Sequence, residues 1–291
     1  MKYSLQSNSL SIQITKIGIE LSSIKSKKTG LEYIWQADPT IWASHAPVLF
    51  PIIGILKDCY TLINGEKYFI PKHGLVRNSD KINLIHSTEN TLQFRFSWDE
   101  ETFQKYPFQF QFDVIFTLSD NSIKVEHIIE NLGEETMYYS VGGHPAFNCP
   151  LHPEEKYEDY FLSFPEKETD STWLLDENGL VSDKQKKILD NSSKLTLNKH
   201  LFDNDALIFK HLKSKKVSLN HVINGPILSL EFKDFEYLGI WAKPAAPFVC
   251  IEPWLGIADS SQSNHDFKNK EGILQLAPLK RDRKSFTITI E

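Results

Sequence analysis

Phe108-Gln109-Phe110-Gln111-Phe112-Asp113-Val114-Ile115-Phe116-Thr117-Leu118 places an apolar side chain at every second position for eleven residues. A repeat of two matches the pleat of a β-strand, whose successive side chains point to opposite faces, and does not match the turn of a helix. The stretch is expected to form a long strand with one buried face. Working outward, Ser119-Asp120-Asn121-Ser122 reads as a turn, after which Ile123 and Val125 resume the alternation. The same pattern occurs upstream at Leu10, Ile12 and Ile14 and at Leu92, Phe94, Phe96 and Trp98, and downstream at Leu228, Leu230 and Phe232 and at Phe286, Ile288 and Ile290. Helical periodicity is confined to short candidates at Thr40 to Ser44, Glu100 to Lys105 and Pro153 to Tyr160. Many strands with so little helix predict an all-β fold, a large antiparallel β-sandwich with few short helices.

A chain of 291 residues that is 41% apolar can bury a large core, and residues 1–291 are read as a single domain. The polar, lysine-rich segment Glu166 to Lys194 is expected to be a surface excursion with short strands. A net charge of −6 argues against a nucleic-acid footprint, as do lysine clusters that lie apart at 25–28, 184–187 and 213–216. Met1-Lys2-Tyr3-Ser4-Leu5 opens no signal-peptide pattern, and no apolar run approaches membrane-spanning length. Cys59, Cys149 and Cys250 are odd in number and widely spaced, which suits reduced thiols and a cytoplasmic location.

Three stretches carry chemistry. In Tyr139-Ser140-Val141-Gly142-Gly143-His144-Pro145-Ala146-Phe147-Asn148, two glycines let the backbone bend or approach a ligand, and the proline ends strand pairing. His144 is thereby offered at a strand end, where an imidazole can exchange protons near neutrality; a turn histidine with a satisfied hydrogen bond has the same local sequence. In Ile70-Pro71-Lys72-His73-Gly74-Leu75-Val76-Arg77-Asn78, a histidine and an arginine stand four residues apart. Arg77 suits hydroxyl, carboxylate or phosphate oxygens, or equally a loop carbonyl. In Ala246-Pro247-Phe248-Val249-Cys250-Ile251-Glu252-Pro253-Trp254, strand alternation puts Glu252 on one face with Phe248 and Cys250, an apolar setting in which a carboxylate is rarely left without a partner. Trp241 and Trp254 are flat surfaces for a sugar ring or core packing residues.

Together, Phe50-Pro51-x-x-Gly54, Pro71-x-His73-Gly74-x-x-Arg77, Gly142-Gly143-His144-Pro145-Ala146-Phe147-Asn148 and Cys250-Ile251-Glu252-Pro253-Trp254 resemble the aldose 1-epimerase (galactose mutarotase-like) family, in its LacX-like branch. The similarity runs from about Glu32 almost to the C-terminus. It implies a galactose mutarotase-like supersandwich with an open cleft, and interconversion of the α and β anomers of a hexose without metal or organic cofactor. By the family pattern Glu252 matches the base that takes the C1 hydroxyl proton and His144 the acid that protonates the ring oxygen. His73 matches the family's other active-site histidine, expected to hydrogen-bond sugar oxygens and orient the opening aldehyde, and Arg77 is expected to bind substrate. Asp205 matches the substrate-binding aspartate, with Asp203 close enough to confuse the match.

Where galactose mutarotases carry an Asn-Arg pair, this chain has Pro51-Ile52-Ile53-Gly54, so different hydroxyl contacts are expected. The His-Gly-x-x-Arg spacing is similar to that of hexose-6-phosphate epimerases, which makes Lys57, Lys72 or Arg77 candidates for a phosphate. The expected partner is therefore a small sugar or sugar phosphate, bound by a monomer or homodimer. Three rivals share the same residues: a non-catalytic carbohydrate-binding sandwich, a glycoside hydrolase using Glu252 with Asp205, and a metal site formed by His73, His144 and Glu252.

Overall fold

In the computed structural model, which describes residues 1–291, the alternation quoted above becomes the strand Phe110–Ser119 of a nine-stranded antiparallel sheet. From edge to edge the sheet runs Val181–Thr196, Tyr160–Leu175, Lys216–His221, Gly225–Glu231, Arg281–Ile290, Ser122–Asn131, Phe110–Ser119, Thr91–Ser97 and Asn83–Ser87. Its register sets Phe112, Val114 and Phe116 opposite Ile129, His127 and Val125. Val125 and Ile123 in turn face Phe286 and Ile288, so the apolar stripes join into one buried surface.

A second sheet runs Leu207–Phe209, Tyr237–Trp241, Phe248–Leu255, Val141–Gly143 and Val48–Leu49, with Ala146–Asn148 also pairing along Phe248–Leu255. All its pairings are antiparallel. Every residue of Phe248–Leu255 is buried, as expected of a central strand covered on both faces. The two sheets meet in one cluster of 68 buried apolar residues. Phe50, beside the second sheet, stacks on Phe112 of the first with ring centroids 4.6 Å apart. The expected all-β antiparallel sandwich is the observed fold, and no helix is long and apolar enough to cross a membrane.

Three local expectations change. Glu166 to Lys194 lies within two 16-residue strands, Tyr160–Leu175 and Val181–Thr196, paired as a long bulged hairpin. Its alternation was hidden because two inward positions are acidic: buried Glu168 accepts from the backbone N–H of Lys213 and Ser214, and buried Asp170 from that of His211. Glu100–Lys105 is helical, started by an Asp99–Thr102 capping box. Thr40 to Ser44 forms a turn and no helix, and Pro153 to Tyr160 keeps only the short 3-10 turn Tyr157–Asp159.

The paired glycines also act differently from expectation. Neither has a positive φ. A Cβ on Gly142 would lie 2.7 Å from the Pro253 carbonyl oxygen and 2.8 Å from the Trp254 ring, and one on Gly143 would lie 2.9 Å from the Phe286 ring. The two glycines admit close packing on both faces of the strand, rather than a bend.

One core position breaks the apolar pattern. His127 is fully buried, its ring 5.7 Å from that of Phe112 and 5.9 Å from that of Phe286, and neither ring nitrogen has a hydrogen-bond partner. Burial pushes it from 6.5 down to about 3. Between those values the unfolded chain binds a proton that the folded chain refuses, so stability falls as pH falls, by about 2 kcal/mol at about pH 5 for this residue. His127→Phe is expected to reduce the loss of stability between pH 7 and pH 5, measured by denaturant midpoints. An unchanged pH slope would contradict this account of the core.

Candidate active site

Strand ends and loops of the second sheet open onto a cleft of about 680 Å³. Glu252 projects into it from the middle of Phe248–Leu255, and His144 stands just beyond the end of Val141–Gly143. His73 and Arg77 arrive on the loop that follows Ile70. Asp203 and Asp205 come from the segment before Leu207–Phe209, and Leu175 and Gly179 from the tip of the long hairpin. Trp42, Trp241 and Lys243 complete one wall.

On the cleft floor His144 Nε2 lies 3.1 Å from Glu252 Oε2, and the two side chains are 8% and 1% exposed. The approach lacks hydrogen-bond geometry: Glu252 Oε2, His144 Nδ1 and the Trp254 indole nitrogen are all buried without a partner. The His144 ring stacks on Trp42 at 5.1 Å and meets the edge of Trp241 at 5.8 Å and of His73 at 5.6 Å. Its backbone N–H donates to the Pro47 carbonyl, so backbone and ring are both held.

Burial is the main influence on each charge. It raises Glu252 well above the ordinary carboxylate range, with the negative Asp205 adding to the rise. Arg77, Lys72 and the facing Trp254 N–H oppose it. Burial lowers His144 to about 3, and the positive charge of Arg77 acts in the same direction. Taken together, carboxyl and imidazole hold one proton between them over a wide pH range, and that proton belongs to the pair.

His73 has a different part. Its backbone is left-handed, with φ 65°, held by donation of its N–H to the Gly54 carbonyl. Gly54 N–H donates back to His73 Nδ1 over 3.2 Å. Burial keeps the ring neutral, so its proton sits on Nε2 and His73 acts as a hydrogen-bond donor. Next to it, the Arg77 guanidinium donates to Ser44 Oγ over 3.1 Å. Gly74 must be glycine: its φ is 87°, and a Cβ would lie 2.0 Å from the Phe50 carbonyl oxygen.

Of the residues singled out in the sequence, His73, Arg77, His144, Asp205, Glu252 and Trp254 all line this cleft, as does Lys72. Lys57 does not. It belongs to the short turn Lys57–Cys59, where its ammonium donates to the Ser263 carbonyl and its backbone N–H to Asp259. Asp203 and Asp205 both reach the rim, but Asp203 is engaged by His200 whereas the charge of Asp205 is felt at Glu252. Trp42 and Lys243 carried no sequence signal: Trp42 lay in the stretch read as a helix, and a lone lysine before a proline is indistinguishable from a solvated turn.

A metal set of His73, His144 and Glu252 is not assembled, because His73 Nδ1 is already an acceptor for Gly54. The buried donors that do converge, within 4.8 Å, are His144, Cys250 and Glu252. Burial and the neighbouring Glu252 push Cys250 well up, which keeps it a thiol and a poor metal ligand.

Fold and floor together define a β-sandwich built to present a buried carboxyl–imidazole pair at the base of an open cleft. The aldose 1-epimerase family model matches residues 1–267, so the match begins well before Glu32, and the chain belongs to that family. It is 38% identical over 299 residues to the plasmid protein LacX of Lactococcus lactis subsp. lactis, covering 100% of this chain and 99% of that one. Among solved structures it is similar to a galactose mutarotase related enzyme from Lactobacillus acidophilus, with 35% identity, TM-score 0.94 and coverage of 100% and 97%. It is likewise similar to a galactose mutarotase-like protein from Lactobacillus casei, with 25% identity, TM-score 0.94 and full coverage of both chains.

The placement of Trp254 depends on a missing side chain opposite it. A Cβ on Gly239 would meet three atoms of the Trp254 ring at 2.5 to 2.9 Å. Gly239→Ala is therefore expected to lower stability by about 1–3 kcal/mol, read from chemical denaturation, through overpacking. A midpoint equal to that of the unmodified protein would show that the indole has room to move.

Proposed function

We propose that this protein is an aldose 1-epimerase acting on a hexose or hexose phosphate in the cytoplasm, with Glu252 and His144 as its acid and base. The observation that carries this reading is the 3.1 Å approach of the two side chains on the floor of the cleft. Both oxygens of the hemiacetal sit on C1, so the groups that serve them must be close neighbours. Three free cysteines, two of them buried, support a reducing location.

In this mechanism Glu252 takes the proton from the C1 hydroxyl as the C1–O5 bond breaks. The bonding electrons pass to O5, which receives a proton from His144, and the ring opens to the aldehyde. Rotation about C1–C2 and reclosure on the other face, with the roles reversed, give the opposite anomer. Burial leaves the shared proton on the Glu252 carboxyl at rest, so the cycle begins with its transfer to His144 across the 3.1 Å approach; the opening step then returns a proton to the carboxyl, and none need come from solvent. His73 Nε2–H is suited to hold the C1 oxygen as it becomes a carbonyl, and Trp241 and Trp254 to pack against the sugar ring. Arg77 and Lys72 favour the ionised carboxylate that this transfer leaves.

NMR exchange spectroscopy on a panel of aldoses and aldose 6-phosphates tests the assignment. The protein is expected to accelerate anomer exchange on at least one member, with Glu252→Gln and His144→Asn each slowing it by about 10²–10⁴-fold. Variants as fast as the parent would remove the pair from the mechanism, and binding without exchange would favour the carbohydrate-binding module.

The pH profile follows from the shared proton. A second proton joins the pair only near 3, at His144, and the first is lost only well above the ordinary glutamate range. kcat/KM is therefore expected to show no acid limb at the ordinary imidazole value of 6.5. An inflection there, absent from His144→Asn, would mean that the imidazole titrates alone.

A further inference from the structure

His144 lines two cavities, the cleft and a second chamber of about 20 Å³ to which His127 also contributes. Every other side chain lining that chamber is apolar, among them Ile19, Val48, Phe116 and Phe286. Both nitrogens of His127 and Nδ1 of His144 are buried without hydrogen-bond partners. An imidazole left unsatisfied in a phenylalanine core destabilises the fold. Val125 and Ile129, two positions away on the same strand face, show which residue types the core takes otherwise.

Size and polarity limit what can satisfy these nitrogens. A chamber needs roughly 10–15 Å³ and at least two polar partners to hold a water molecule. This one has that volume and two imidazoles. Gly143 contributes to its wall, where a Cβ would press on the edge of Phe286 at 2.9 Å.

We propose that one buried water bridges His127 and Nδ1 of His144 in this chamber, making His127 a positioning residue for His144. The inference rests on the reading of His144 as the ring-opening acid. An imidazole that exchanges a proton at Nε2 must have its other nitrogen matched in each state. When His144 carries both protons, Nδ1–H donates to the water, which donates in turn to a His127 nitrogen. When Glu252 holds the shared proton and points it at Nε2, Nδ1 keeps its hydrogen and the same donation stands. The bridge thus fixes Nδ1 as the protonated nitrogen and leaves Nε2 free to give and take the proton.

Three forms of the full-length protein test this: the parent, His127→Phe and His127→Gln. In the parent, a water-to-ring cross-relaxation signal at His127 and a ¹⁵N spectrum with His144 Nδ1 protonated are expected. His127→Phe, which removes one partner of the bridging water and leaves His144 Nδ1 unmatched, should lower kcat for anomer exchange on the order of tenfold at unchanged KM. His127→Gln, which retains a hydrogen-bonding atom, should recover most of the rate and the parental Nδ1 shift. The proposal is overturned by the absence of a water contact at His127 in the parent, or by a Phe variant with unaltered Nδ1 shift and kcat. If the parent exchanges no anomer, the ring-opening assignment fails on its own, and the NMR arm still decides whether the bridge exists.

Discussion

A carboxyl and an imidazole that nearly touch, both withdrawn from water, set the terms for the rest of this structure. Neither ion is tolerated alone in such surroundings, so the pair is stable only if it keeps one proton and its partners stay fixed. Fixing it occupies the centre of the second sheet. The strand carrying Glu252 has no exposed residue, the strand before His144 is seated by two glycines without room for a side chain, and Trp254 fills the gap opposite Gly239 and Gly142. The larger sheet presses on the back of this arrangement through Phe286 and Phe112.

Much of this was legible in the sequence, because period-two hydrophobicity is a direct imprint of a sheet with one dry face. The strand around Phe112 and the position of Glu252 among apolar neighbours both follow from it. The long hairpin was not legible, since Glu168 and Asp170 point inward and are satisfied by backbone N–H groups of a loop more than 40 residues later, and alternation cannot register a distant partner. The paired glycines were noticeable, but their use depends on what lies across the strand: Pro253, Trp254 and Phe286. Lys57 and Lys72 flank the hairpin of Thr61–Ile63 and Glu66–Tyr68 and look equivalent as letters, yet only Lys72 lines the cleft, and a carbonyl at Ser263 holds the Lys57 ammonium.

Charge is distributed unevenly around the pair. Arg77 and Lys72 act on Glu252 from one side and Asp205 from another, with opposing effects on its ionisation. Arg77 in turn lies under the influence of Glu20, whose carboxylate accepts the backbone N–H groups of His45 and Ala46 at the back of the same wall. The cation nearest the floor is therefore partly neutralised from behind and half-buried, which suits it to set a local potential and to hold oxygen atoms at short range.

His144 is also a boundary. It lines both the solvent-reachable cleft and the small chamber it shares with His127; its Nε2 approaches Glu252 and its Nδ1 is buried without a partner. A group in that position has its wet-side chemistry controlled by whatever stands on the dry side, because a proton on one nitrogen is only as secure as the partner of the other. Ordinary core selection would put a valine or isoleucine behind it. The presence of an imidazole there, with its cost in stability at low pH, is best understood as serving the pair in front of it rather than the packing around it.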